Sequence, residues 1–238
     1  MRKIKIITAL FMSFVLIFCM SLFSSAAPYA NNGRAYGIAR NSGTSLDGNF
    51  FYVQIKAMDS KWSSSNNMRF ILHTNWIALS SSGESWIESG IMHGAFLNSG
   101  GSVSFWNGSY SARGTSTSYS EYKITGYSSS VGAWHTYQIS RISSTPENGS
   151  YKWGVYVDYT LVKTYNSTIQ YGRKPDCGLE SNDTVATSAQ WNERSIQRIS
   201  NWNWTNWSRS QTSLSNPSNR ASVAFSDSTT GNSILTSK

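Results

Sequence analysis

The chain has little charge, almost no cysteine and few histidines. Charged residues make up 13% of it, there are two cysteines, and the histidines number three. Each scarcity excludes something. Cys19 lies in the apolar N-terminal run, which leaves Cys177 alone in the remainder, so an intramolecular disulfide there is excluded. His73, His93 and His135 are too scattered to suggest a ligand cluster. GxSxG, HExxH, CxxC and an EF-hand loop are all absent. No metal, no cofactor and no nucleophilic triad is therefore expected. Dense Lys/Arg runs are missing as well, which argues against nucleic acid as a partner. Sustained i, i+3, i+4 periodicity is also missing, and with it any sign of long helices.

What is present begins with an export pattern. MRKIK is cationic, ITALFMSFVLIFCMSLF is apolar, and SSAAPYA supplies small residues for cleavage. Residues 1–26 are read as a signal peptide cleaved after Ala26, with Ala30 as the alternative. The protein is then expected to be secreted and extracellular, with no membrane anchor after cleavage. Losing Arg2, Lys3 and Lys5 lowers the formal charge from +8 to +5. An anionic cell-wall polymer is a matching partner for such a chain.

Short alternating runs follow at regular intervals. They are FFYVQIKAM (50–58), MRFILHTNWIAL (68–79), SWIESGIMHGAF (85–96), SVSFWNGSYSA (102–112), EYKITGY (121–127), WHTYQISRI (134–142) and YKWGVYVDYTLVKTY (151–165). The last turns back on itself at Asp158-Tyr159-Thr160. DCGLES (176–181), WNERSIQRI (191–199), NWNWTNW (201–207) and RASVAFSD (220–227) complete the set. Short strands separated by Ser/Gly/Asn turns predict an all-β sandwich or jelly roll. One domain is expected over 46–227, with a polar lead-in at 27–45 and a polar tail at 228–238, in which a short edge at Ile234 and Leu235 is the alternative to fraying.

Most carboxylates fall in turns, where solvation explains them. Glu88 and Glu180 instead sit inside alternating apolar segments. Alternation places Glu88 with Trp86, Gly90 and Met92, and Glu180 with Gly178, while Cys177 and Leu179 point the other way. Two facing carboxylates can divide acid and base roles, because crowding and burial raise one pKa. The glycines are expected to leave open backbone beside each acid, suiting a concave cleft for a polypeptide or glycan chain, and to help polarise a carbonyl. Tyr52, Trp106 and Trp204 are candidates for the cleft wall. Trp202 and Trp204 are expected to share a strand face that stacks on ligand.

WIESG (86–90) and CGLES (177–181) resemble the two glutamate-bearing strands of the neprosin-type glutamic peptidases and related small secreted bacterial proteins. The likeness spans about residues 45–208. It implies a concanavalin A-like jelly-roll sandwich of two antiparallel sheets, with Glu88 and Glu180 as the catalytic pair. The reading that follows is a glutamic endopeptidase with an acidic optimum. Two alternatives are a non-enzymatic, lectin-like or wall-associated module that binds carbohydrate through its aromatics, and a glycan hydrolase or lyase using the same acids.

Overall fold

A computed structural model describes residues 35–41, 43–65, 68–182, 187–192, 202–207, 212–215, 220–227 and 230–235. The segment read as a signal peptide, with its cleavage site, lies outside these residues. Fourteen strands are described: β1 Ala35–Asn41, β2 Gly48–Gln54, β3 Phe70–Ala78, β4 Trp86–Leu97, β5 Val103–Gly114, β6 Tyr119–Lys123 and β7 Trp134–Arg141. They continue as β8 Tyr151–Val157, β9 Thr160–Ser167, β10 Arg173–Ser181, β11 Thr187–Asn192, β12 Thr212–Ser215, β13 Ala221–Phe225 and β14 Thr230–Leu235.

The strands form two seven-stranded antiparallel sheets, in the orders β12-β1-β10-β3-β4-β5-β6 and β13-β14-β11-β2-β7-β8-β9. No helix occurs among the described residues, and the fold is the expected all-β jelly-roll sandwich. Alternation decides which side of each strand meets the other sheet. Ile71, Ile77, Ile87, Ile91, Cys177 and Leu179 from the first sheet pack with Phe51, Val53, Tyr137, Ile139, Trp153 and Val155 from the second. Cys177 is thus a core residue. The even-numbered positions of β3, β4, β5 and β10 face outward from the first sheet, and those of β2, β7 and β8 face outward from the second.

The ends of the chain and one tryptophan segment depart from expectation. β1 lies within the stretch read as a polar lead-in, and β14 within the stretch read as a tail; β14 pairs with both β11 and β13. Their small and polar residues carry little hydrophobic signal, so only pairing to neighbours reveals them. NWNWTNW forms no strand over its described residues 202–207, and Trp207 is buried in the core.

Two buried polar links tie the interior together. The Asn49 amide of β2 donates to Asn75 Oδ1 of β3 at 2.5 Å and to the carbonyls of Trp76 and Asp176 at 3.0 and 3.2 Å. Asn75 in turn donates to the Tyr137 carbonyl at 3.1 Å. Asp47 and Arg141 form a fully enclosed ion pair at 2.5–2.9 Å, and the guanidinium lies beneath the rings of Tyr151, Tyr171 and Trp202. Removing one partner of a buried pair strands the other charge in a dry interior. Asp47→Ala is expected to cost about 3–5 kcal/mol. Urea unfolding checks this, and a loss below about 1 kcal/mol contradicts the stranded-charge account.

Candidate active site

Residues directly opposite in an antiparallel ladder share a face, so the register lays out the outer surface of the first sheet in rows. One row runs Glu121, Ala112, Glu88, Trp76, Asp176, Arg40. The next runs Lys123, Tyr110, Gly90, Thr74, Gly178, Ile38. The third contains Gly108, Met92, Leu72, Glu180 and Tyr36. Glu88 on β4 and Glu180 on β10 therefore occupy one face, two strands apart, at diagonal corners of the Gly90–Thr74–Gly178 row.

Both glutamates are buried, at 4% and 5% exposure. Glu88 Oε1 accepts a hydrogen bond from Thr74 Oγ1 at 2.7 Å and another from the Tyr110 hydroxyl. Burial, and then the charge of Glu180, raise the Glu88 pKa to about 8, against the opposing pull of hydrogen bonds from Tyr110, Thr74 and Trp76. Desolvation wins because taking a carboxylate out of water costs more than three neutral donors return. Tyr110 is itself raised well above the usual phenol range, chiefly by burial, so it stays a donor.

The glycines beside the acids have a different reason from the one expected. A Cβ on Gly90 would sit 2.0 Å from the His73 carbonyl oxygen, and one on Gly178 would sit 2.2 Å from that of Gly37. Gly178 also has φ +140°. Glycine is required at both positions because neighbouring backbone passes too close for any side chain.

Trp86 lies one row beyond Glu88, above Gly114 and 6.2 Å from Tyr119. Trp106 is on the same face but three rows away, opposite Gly94. Its indole donates to the Ser109 carbonyl at 3.0 Å and packs with Phe96 under Lys123. Tyr52 and Trp204 do not join the acids. Tyr52 projects from the outer face of the second sheet, where its ring lies 4.7 Å from that of Trp134. Trp204 meets Phe50 on that same face at 6.3 Å. Trp202 covers Arg141 rather than sharing a strand face with Trp204. Alternation gives the facing of a strand but not which sheet it enters, which is why these three separate from Glu88 and Glu180.

Thr74, Trp76 and Tyr110, the donors that orient Glu88, are not among the residues the sequence singles out. Thr74 and Trp76 alternate with Leu72 in one run, but nothing local shows that this run lies beside WIESG. No group of three or more His, Cys, Asp or Glu suited to a metal ion occurs among the described residues.

Comparison with solved structures follows from this geometry. Scytalido-glutamic peptidase with a transition state analog inhibitor is similar over 87% of this chain and 100% of that chain, at 8% identity and a TM-score of 0.52. The fold is similar to that of this glutamic peptidase. SCP-B, a member of the eqolisin family of peptidases in complex with the tripeptide Ala-Ile-His, covers 87% of this chain and 99% of that one, at 10% identity and a TM-score of 0.46. No protein-family model and no curated protein matches the chain.

A raised carboxyl pKa makes a stability statement. Below about pH 4.5, the ordinary glutamate value, Glu88 is protonated in both folded and unfolded chains. Between there and about 8 the unfolded chain ionises while the folded one holds its proton, so this group's contribution is lost as pH rises. Glu88→Gln, which is neutral throughout, is expected to gain Tm relative to the parent as pH goes from 4.5 to 8. The scale is roughly 2–4 °C per kcal/mol. Parallel Tm-against-pH curves for the two proteins would contradict a buried neutral Glu88.

Proposed function

We propose that the protein is a secreted endopeptidase in which Glu88 is the general acid and Glu180 the general base. One observation carries the reading: Glu88 and Glu180 are both buried on one face of a sheet, two strands apart, where burial and the Glu180 charge push the Glu88 pKa up. The fold likeness supports it, as do the WIESG and CGLES segments, which point to the neprosin-type branch of glutamic peptidases. Export through residues 1–26 suits a substrate met outside the cell.

An extended polypeptide lies along the face, across the Gly90–Thr74–Gly178 row. The Glu180 carboxylate takes a proton from water as the water oxygen attacks the scissile carbonyl carbon. Glu88 gives its proton to the amide nitrogen, and the C–N bond breaks. One water is consumed, an acid and an amine leave, and the proton held on Glu180 passes back to Glu88. Seclusion from bulk solvent strengthens each charge interaction in these steps. Trp86, one row from Glu88, offers an apolar surface to a substrate side chain. The acid–base pair follows from the carboxyl environments, and no metal or cofactor enters the scheme.

The elevated Glu88 pKa changes the expected pH profile. The acid arm persists to near-neutral pH, so activity is expected to fall as pH rises through about 8 rather than only in strongly acidic solution. Cleavage of denatured protein by the purified chain from pH 3 to 9 is the test. Glu88→Gln and Glu180→Gln are each expected to lose at least about 100-fold in kcat/KM, within the usual range for a general acid or base. Unchanged cleavage by the double variant overturns the assignment.

A further inference from the structure

The outer face of the second sheet carries an aromatic surface that the acid pair does not use. On β2, Phe50 and Tyr52 point away from the core, since Phe51 and Val53 fill it. The register brings Trp134 beside Gln54, Thr136 beside Tyr52, and Gln138 and Tyr156 beside Phe50. Phe50 stacks with Tyr159 at 6.1 Å and meets Trp204 edge-on at 6.3 Å, while Tyr52 and Trp134 lie 4.7 Å apart. The rings therefore form two clusters on successive rows of one face. Tyr159, Trp204 and Trp134 are 73%, 39% and 36% exposed.

Core packing explains none of this, and one part of it is strained. Tyr159 and Asp158 form the two-residue β8–β9 turn with φ of 65° and 47°, a conformation that Asn and Gly adopt more readily. A bulky aromatic kept there, its ring in solvent, contributes nothing to the interior. Such a backbone outlier at an exposed ring points to a role outside folding.

The polar groups at the edges of the rings select the ligand. Among the described residues the hydroxyls of Tyr52, Tyr156 and Tyr159 have no hydrogen-bond partner, and Gln138 donates to Ser140 Oγ while its carbonyl oxygen accepts from none of them. The strand residues directed outward from these rows of β2, β7 and β8 are uncharged, and the two charged groups at their margin are held by the protein, Lys56 on Gln54 Oε1 at 2.6 Å and Asp158 against His135 at 2.7 Å. Aromatic faces with neutral donors and acceptors at the rim match a sugar ring, whose C–H face is apolar and whose hydroxyls lie at its edge. An anionic membrane would call for basic side chains.

We propose that this face is a glycan-binding site for a neutral polysaccharide chain, separate from the acid pair and on the opposite side of the sandwich. It holds the chain at a polysaccharide surface while the Glu88 face remains free. Retention of the purified protein on insoluble chitin, cellulose and bacterial peptidoglycan tests it. The parent chain is expected to be retained on at least one of the three. Tyr159→Ala with Trp134→Ala is expected to weaken that retention at least tenfold, with unchanged near-ultraviolet circular dichroism. Tyr159→Phe, which keeps the ring, is expected to retain it, and so is Glu88→Gln. The last variant separates this site from the peptidase reading, since it is expected to abolish cleavage alone. Absence of retention on all three polymers overturns the proposal. So does equal retention by the double variant, or binding only to phosphatidylglycerol vesicles.

Discussion

The candidate site depends on one carboxyl group removed from water. Glu88 sits where four strands converge: β4 carries it, β3 supplies Thr74 and Trp76, β5 supplies Tyr110, and β10 brings the charge of Glu180. Neutral donors hold Oε1 without neutralising the cost of ionising the group. A lysine or arginine in place of Thr74 or Tyr110 would have made Glu88 an ordinary carboxylate. The same two positions therefore orient the acid, while burial and the Glu180 charge keep its proton on.

Close strand approach makes that geometry attainable. Gly90 and Gly178 lie on either side of Thr74, and at each a neighbouring carbonyl occupies the space of a Cβ. Behind them, Asn49 and Asn75 bind the second sheet to the backbone at Trp76 and Asp176. The row that bears Glu88 is thus fixed from the core side by amides that are fully enclosed, where a hydrogen bond is hard to replace with water. Rigidity at the acid face is a property of the interior beneath it.

The two outer faces of the sandwich differ in chemistry for a simple reason. Each strand has one side committed to the core, which leaves the other side free to specialise. The first sheet's free side concentrates buried acids and their donors. The second sheet's free side concentrates rings with neutral polar edges. Trp202 belongs to neither, since it covers the enclosed Asp47–Arg141 pair at the sandwich margin.

Much of this was legible in the sequence. Period-two alternation identified β2 to β5 and β7 to β10 and the facing of each, including Glu88 with Trp86 and Gly90, and Glu180 with Gly178, because side-chain direction in a strand is a local property. The Asp158–Tyr159 turn was legible for the same reason. β1 was not, and β14 was legible only as a short edge at Ile234 and Leu235, since their sparse apolar residues matter only once paired. Nor could alternation show that Tyr52 and Trp204 belong to the sheet opposite the acids, or that Thr74, Trp76 and Tyr110 surround Glu88. Those relations join residues tens of positions apart, through a register set by the whole sandwich. By itself the sequence determined which side of each strand carries the carboxylates. Only the tertiary structure decided which strands lie beside one another, and therefore that one of those carboxyls keeps its proton near neutral pH.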